Sequence, residues 1–290
     1  MGLFAKGIGV VGSTTIDQVV DQHRSVAKVG GVTTYAAITY SRSGLNTFVV
    51  TNIANTDRTI IDKLEQENLT VFNGETSRTT QFINNIQSDF RRQKALRRAR
   101  PIQLQQLSNI VGRIGGLHLG PLHPDDIEPE ILTALQDTRF KIFLDVQGYT
   151  RKIVNTNVSP AVSRHLPAAL SAAHIIKANG TELKLILEHF HKGLAELMRS
   201  FDIEESVITL GPEGGWVETL GGEKFNYSAG RIGAETDPTG AGDVFFAAYL
   251  IGRLADHQDI PDACRRAART AASQVAGKHI SIDRLLLTER

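Results

Sequence analysis

The sequence contains a single cysteine and no long apolar run. Cys264 stands alone among 290 residues, which excludes an internal disulfide framework and is compatible with a reducing compartment. No run of about 18 apolar residues occurs, so no transmembrane helix is expected. The N-terminal stretch MGLFAKGIGVVG is too short and too rich in glycine for a signal peptide. These absences favour a cytoplasmic protein without a membrane partner.

A strong excess of charge is also absent, since the formal net charge is +1. This balance argues against a general nucleic-acid-binding surface. One local exception is RRQKALRRAR, residues 91–100, which holds six Lys and Arg residues and no acid. Such a run could bind nucleic acid, but it contains no aromatic residue between the charges on which a base could stack. A solvated edge or a clamp over a charged substrate is the favoured interpretation, and no nucleic-acid partner is expected.

Two common nucleotide-binding signatures are missing. The sequence has no G-x-x-x-x-G-K-[ST] phosphate loop. GIGVVG, residues 7–12, spells G-x-G-x-x-G, but its apolar residues form the strand that should precede such a motif. The histidines and acids of residues 118–126 lack a usual zinc spacing and are predicted to be surface or loop residues.

Short β-rich apolar runs alternate with segments of helical period, which predicts an α/β fold with a mostly parallel sheet. The predicted core strands are IGVVG, TFVVTNI, GGLHLG, KIFLDV, HIIKAN and SVITLG. Residues 17–31 and 77–97 do not follow this pattern. Their apolar and polar residues alternate as in strands with one exposed face, so they are predicted to form a small β lid. Residues 1–290 are interpreted as one domain. Ligands are expected at the carboxyl ends of the core strands.

The stretch ETDPTGAGDVFFAAYL, residues 235–250, carries the strongest chemical signal. Gly240 and Gly242 permit positive φ, so backbone amides at the start of a helix can converge on an anion. An aspartate here would repel that anion unless Asp243 faces a hydroxyl and accepts its proton. The alternative is that Asp243 is only a first-turn acid of a buried helix.

The longer motif DPTGAGD resembles the C-terminal signature of the ribokinase-like (PfkB) family of sugar and nucleoside kinases, and the resemblance extends over nearly the whole chain. It implies a three-layer α/β/α fold with a small β lid. It also implies that Asp243 is the general base and that Gly240, Ala241 and Gly242 form the anion hole. The implied cofactors are ATP, Mg²⁺ and a monovalent cation such as K⁺. The implied partners are a small sugar, polyol or nucleoside, and a second subunit that pairs through the lid into a homodimer.

The resemblance also places residues around the acceptor. Asp17 matches a family aspartate that binds substrate hydroxyls, and Gly30 and Gly31 match an N-terminal glycine pair. Tyr35 stands where the family usually has asparagine, which implies a differently shaped pocket. In DVQGYTR, Asp145 is followed by Gln147 and Arg151, where many relatives have an Asp-x-Asn arrangement and a nearby arginine. Gln147 and Arg151 are assigned to the substrate or the transferred phosphate, and the alternative for Arg151 is an ion pair with Asp145.

The donor side is implied in the same way. Asn179 and Glu182 match the family N-x-x-E motif, in which Glu182 would reach the metal through water, although this spacing is also a helix capping box. The remaining donor contacts are assigned to two groups: Thr209, Gly211 and Gly214 in the nucleotide loop, and Ala272, Val275 and Gly277 beside adenine. Helix packing explains the last group equally well. The sequence thus predicts an ATP-dependent kinase, and the alternative is a non-catalytic nucleotide or sugar sensor with the same fold.

Overall fold

The computed structural model describes residues 6–20, 25–87, 90–136, 138–231 and 237–287. Along these residues the strands are β1 (Ile8–Val11), β2 (Thr15–Val20), β3 (Ser25–Gly30), β4 (Thr47–Thr51), β5 (Leu69–Asn73), β6 (Thr80–Gln87), β7 (Phe90–Arg97), β8 (Gly116–Leu119), β9 (Lys141–Asp145), β10 (Arg151–Val154), β11 (Asn157–Pro160), β12 (Ile175–Asn179), β13 (Glu205–Thr209), β14 (Gly215–Thr219) and β15 (Lys224–Tyr227). The helices are α1 (Val32–Arg42), α2 (Thr59–Glu65), α3 (Leu104–Leu107), α4 (Pro129–Leu135), α5 (Leu166–Ala172), α6 (Gly180–Phe190), α7 (Leu194–Phe201), α8 (Ala241–Leu250), α9 (Ile260–Val275) and α10 (Ile282–Leu285).

The central sheet has the strand order β15-β14-β13-β12-β9-β8-β1-β4-β5. The ladder from β13 to β5 is parallel, whereas β14 and β15 add an antiparallel edge, so the sheet is mixed. The six predicted core strands are confirmed as β1, β4, β8, β9, β12 and β13. The sequence analysis missed β5, β14 and β15, which lie at the sheet edges and mix polar with apolar residues.

Helices cover both faces of this sheet because consecutive strand residues point to opposite sides. Val10 and Val49 pack into a cluster with α1, α2, α8 and α9, whereas Val11 and Val50 pack into a second cluster with α3 to α7. Both clusters are buried, which is why the core strands read as continuous apolar runs. The three-layer α/β/α fold is therefore confirmed. No helix of the described residues is long and apolar enough to cross a membrane.

A second sheet has the order β10-β11-β7-β6-β2-β3 and is antiparallel except between β2 and β6. The segments 17–31 and 77–97 supply β2, β3, β6 and β7, while residues 21–24 and 88–89 lie outside the described residues. The β10-β11 hairpin was not predicted, and its turn holds Asn155 and Thr156 at positive φ. That this second sheet closes over a ligand as a lid stays a prediction.

The prediction that the histidines and acids of residues 118–126 are surface or loop residues holds in part: His123, Asp125 and Asp126 lie in the loop after β8, but both histidines are buried. His118 and His123 are buried, as is Asp126, and in that segment only Asp125 is well exposed among the four. His118 is the third residue of strand β8, and its Nδ1 lies 3.0 Å from the Tyr40 hydroxyl. Burial lowers the pKa of His118 to about 4, so the ring is neutral at physiological pH. These histidines are part of the packed interior.

Candidate active site

A cavity of about 200 Å³ lies where the carboxyl ends of the central strands meet the second sheet. Eight of the residues assigned from the sequence line it: Asp17, Gly31, Tyr35, Gln147, Arg151, Gly240, Gly242 and Asp243. They come from four separate parts of the chain. The parallel topology therefore brings together the acceptor-side residues and the motif at the start of α8.

Gly240 makes the turn into α8 with a φ of +77°, a conformation that glycine adopts without strain. A Cβ at this position would clash with the Tyr35 ring, so the backbone lies directly on that ring. Gly242 has no positive φ, in contrast to the expectation. The Ala241 amide donates to the Pro238 carbonyl at 3.2 Å, which leaves the first-turn amides of Gly242 and Asp243 to face an anion.

Asp243 is half-buried in the cavity wall, in the first turn of α8. Burial raises the pKa of its carboxyl group to about 7, Lys177 opposes that rise, and the nearby acids Asp145, Asp17 and Glu182 add to it. A carboxyl group with a pKa near neutrality is half ionised at pH 7 and can accept a proton from a hydroxyl.

The sequence analysis did not identify Lys177, which is the buried cation of this site. Its Nζ donates to Asp145 Oδ2 at 2.8 Å, and the two residues are register partners on β12 and β9. A Cβ on Gly242 would lie 3.2 Å from Nζ, so the ammonium group sits beneath the start of α8. Burial lowers the pKa of Lys177, but Asp145, Glu182 and Asp243 together raise it above its ordinary value. Lys177 is therefore charged.

The acceptor side of the cavity is polar. Asp17 is 8% exposed, and its Oδ1 accepts a hydrogen bond from the Thr15 hydroxyl at 2.7 Å. Gly30 does not line the cavity but packs against the Asp17 carboxylate, where a Cβ would clash. Arg151, at the start of β10, donates from Nη1 to Gln93 Oε1 on β7 at 3.2 Å, so this bond lies within the second sheet. Gln93 was not predicted as a site residue.

A second cavity of about 170 Å³ shares Arg151 with the first and is lined by Asn179 and Glu182. The capping box is present: the Glu182 amide donates to Asn179 Oδ1 at 2.9 Å, and the Asn179 amide donates to Glu182 Oε2 at 2.8 Å. Burial raises the pKa of Glu182, and Lys177 opposes that rise. The structure brings Asn179 and Glu182 next to the acceptor cavity at the N-terminus of α6.

The side chains of this site fit a Mg²⁺ ion that is held mainly by the phosphates of a bound substrate. No group of three or more His, Cys, Asp and Glu side chains that could hold a metal occurs in the described part of the chain. Mg²⁺ commonly keeps several waters and binds through one or two carboxylates and substrate phosphates. The carboxylate of Glu182, facing the second cavity, is suited to that mode.

The other residues predicted to contact the phosphoryl donor lie outside the two cavities. Thr209 ends β13 beside Asn179, and Gly211 and Gly214 follow with φ of +61° and +89°. Ala272 and Val275 are buried and Gly277 is half-buried at the end of α9. These six residues line none of the cavities described here, so their contact with a nucleotide stays a prediction.

Gly230 and Asp237, two residues that precede α8, pack against the end of α9. A Cβ at Gly230 would clash with the Ala268 carbonyl and approach Ala272 to 2.7 Å. The Asp237 amide donates to the Val275 carbonyl at 3.2 Å. The expected adenine wall is therefore covered by the chain's own backbone on this side.

Asp237 holds the turn before Gly240. Its carboxylate forms an ion pair with buried Lys28 and accepts from the Thr239 amide at 2.9 Å. Burial alone would raise the pKa of Asp237, but the hydrogen bonds from Lys28 and Thr239 and the charge of Lys28 hold it below its ordinary value. This ion pair links β3 of the second sheet to the motif and was not predicted.

Comparisons with known proteins identify the family and the fold of the chain. A family model described as pfkB family carbohydrate kinase matches residues 6–283. A sulfate complex of a pyrophosphate-dependent kinase in the ribokinase family is similar with a TM-score of 0.81 at 22% identity, covering 92% of this chain and 95% of that chain. A pyrophosphate-dependent kinase of the same family with a pyrophosphate analog and myo-inositol gives 0.79 at 22% identity, covering 92% and 94%. A Burkholderia thailandensis nucleoside kinase with inosine gives 0.75 at 17% identity, covering 95% and 93%. None of the curated proteins compared matches the chain.

Proposed function

The chain belongs to the pfkB family of carbohydrate kinases, and from this premise we propose that it transfers a phosphoryl group from ATP to a hydroxyl of a small polyol or sugar, with Asp243 as general base. The observation that carries the proposal is the position of Asp243. It is half-buried at the wall of a cavity, next to the first-turn amides of α8 and a charged lysine. This combination provides a proton acceptor and an anion-stabilising field at one point.

In the proposed reaction, Asp243 orients the acceptor hydroxyl and takes its proton as the oxygen attacks the terminal phosphorus. The amides of Gly242 and Asp243 and the ammonium of Lys177 stabilise the charge on the phosphoryl oxygens. Arg151 lines both cavities, so its guanidinium is placed to hold the phosphoryl group as it passes between them. Asp17, Gln93 and Gln147 bind the other hydroxyls of the acceptor.

Glu182 would hold Mg²⁺ through water. When bound, the metal neutralises the negative charge of the donor phosphates. The capping box fixes the Glu182 carboxylate for this role, because one oxygen is tied to the Asn179 amide. K⁺ as a second cofactor and a homodimer through the second sheet stay proposals. The first is tested by measuring activity with and without K⁺, and the second by measuring the mass of the protein in solution by sedimentation.

The cavity favours a polyol or sugar over a nucleoside. The cavity of about 200 Å³ is lined mainly by acids, amides and cations, with Phe82 and Leu122 as apolar members. Gly240 packs against the Tyr35 ring and covers it on that side. A compact ligand with several hydroxyls satisfies these groups, and buried polar groups left unpaired would reject other ligands. Similarity to a kinase that binds myo-inositol supports the same choice.

Pyrophosphate is a second candidate donor. The tight packing of residues 230 and 237 on α9 favours it, because a donor without a base does not need the adenine wall. Similarity to pyrophosphate-dependent kinases supports this candidate too.

Product release tests the proposal directly. Purified protein with Mg²⁺ is assayed with ATP or pyrophosphate against myo-inositol, ribose, fructose, fructose phosphates, adenosine and cytidine. Acceptor-stimulated release of ADP or phosphate that Asp243→Asn abolishes supports a kinase. The sensor alternative predicts donor or acceptor binding by calorimetry with no transfer in any pairing.

A further inference from the structure

A groove of about 740 Å³ opens at the end of β7 and shares no lining residue with the catalytic cavity. Its walls include Arg78, Arg97, Arg98 and Arg100, with Ile153 from β10. It continues into a neighbouring cavity of about 510 Å³ that shares Thr76, Ser77 and Arg100 with it. This joined space is hereafter the arginine groove.

The groove carries uncompensated positive charge. Within the described residues, the guanidinium groups of Arg78, Arg97 and Arg100 form no ion pair, and Arg98 pairs only with exposed Asp125 at 3.4 Å. Asp125 is the one acid lining the larger part of the groove, and Glu75 is the one acid lining the smaller part. Guanidinium groups recognise phosphoryl oxygens with two parallel hydrogen bonds, so clustered arginines of this kind suit a phosphate-bearing anion.

A small ligand suits the groove better than nucleic acid does. Proteins that bind single strands stack bases on aromatic side chains, and duplex binding extends along many phosphates. The described lining of the groove includes no Phe, Tyr or Trp, and its apolar part consists of aliphatic side chains such as Leu96 and Ile153.

One loop connects the groove to the catalytic cavity. Leu122 lines the catalytic cavity, whereas His123 and Asp125 line the groove. Buried Asp126 holds this loop, since it accepts from the Leu122 amide at 2.7 Å and from the Ser13 amide at 3.3 Å. An anion that draws Arg98 away from Asp125 would act on the same loop.

We propose that the arginine groove binds a small polyanion with two or more phosphoryl groups, and that its occupancy alters the catalytic cavity through the loop at Leu122. This inference goes beyond the proposed kinase function, and its test does not depend on that function. A groove that fails to bind would leave the kinase proposal intact.

Methyl NMR locates the binding. The full chain, with labelled Ile and Leu methyl groups, is titrated with tripolyphosphate in the absence of Mg²⁺. The Ile153 and Leu122 methyl signals should both shift and saturate together. The Arg97→Gln/Arg100→Gln variant should weaken the Ile153 response at least about tenfold, since each charge-assisted hydrogen bond contributes strongly. The matched control, Arg164→Gln/Arg199→Gln, removes the same charge from exposed arginines outside the groove and should bind as the unchanged protein does.

Three results would overturn parts of the proposal. An unmoved Ile153 signal, or equal affinity in the groove variant and the control, would remove the site. A Leu122 shift that persists in the groove variant would mean that the probe binds the catalytic cavity directly, and it would remove the linkage. Tighter binding of a 12-nucleotide RNA than of tripolyphosphate, with the same dependence on Arg97 and Arg100, would replace the small polyanion with nucleic acid.

Discussion

Replacing Lys177 with methionine should move the acid limb of the pH–rate profile to higher pH. Lys177 is the charge that most opposes the raised pKa of Asp243, which is about 7. An opposite charge at short range lowers a carboxyl pKa by about 1–3 units, so its loss should raise the pKa of Asp243 to about 8 or more. At pH 7 the ionised fraction of Asp243 would fall from about one half to about one tenth or less, with kcat/KM falling at least about fivefold.

The assay is kcat/KM from pH 5 to 9 with the acceptor found in the panel. The variant leaves buried acids without their cation, which costs about 3–5 kcal/mol, so the melting temperature is measured first. If Lys177→Met does not fold, the double variant Lys177→Met/Asp145→Asn is used in its place, because it removes both members of the ion pair. Asp145→Asn alone is a control with the opposite expected shift. Asp145 raises the pKa of Asp243, so its loss should move the acid limb of the pH–rate profile to lower pH. A folded Lys177→Met enzyme with an unmoved acid limb would refute the reasoning.

Three other perturbations have defined outcomes. Because the Asp243 pKa is about 7 in the folded chain and lower when unfolded, the free energy of unfolding should fall by about 3 kcal/mol more between pH 4 and 7 in the unchanged protein than in Asp243→Asn. Equal falls in the two proteins, measured by chemical denaturation, would contradict this. Gly240→Ala should abolish turnover and lower the melting temperature, because its Cβ would clash with Tyr35; wild-type values for both would be inconsistent with the described turn. Lys28→Met should cost about 2 kcal/mol and lower kcat by loosening the Asp237 turn, whereas normal kcat in the folded variant would separate that ion pair from catalysis.

The sequence was most informative where local pattern determines structure. The core strands are apolar runs between helices, and the turn before α8 needs a glycine at residue 240. Asp17, Tyr35 and Gln147 were assigned to one site from the family resemblance, and the structure places all three on the wall of one cavity. The family resemblance supplied the order of these pieces along the chain.

What the sequence missed depends on pairing between distant segments. Lys177 lies in an apolar strand, and only the register of β12 with β9 reveals Asp145 as its partner. Gln93 lies in a basic segment 58 residues before Arg151, its hydrogen-bond partner. The burial of His118 follows from its packing against Tyr40 and Phe246, which no local spacing encodes.

The most direct test of the central claim compares the unchanged protein with Asp243→Asn at pH 8, where Asp243 is mainly ionised. Both are assayed for phosphoryl transfer to the active acceptor, and donor binding is measured by calorimetry. Loss of a general base should lower kcat by about 10²–10⁴-fold or more while donor affinity stays within a few fold. Near-normal turnover in a folded Asp243→Asn protein would contradict the assignment of Asp243 as the base.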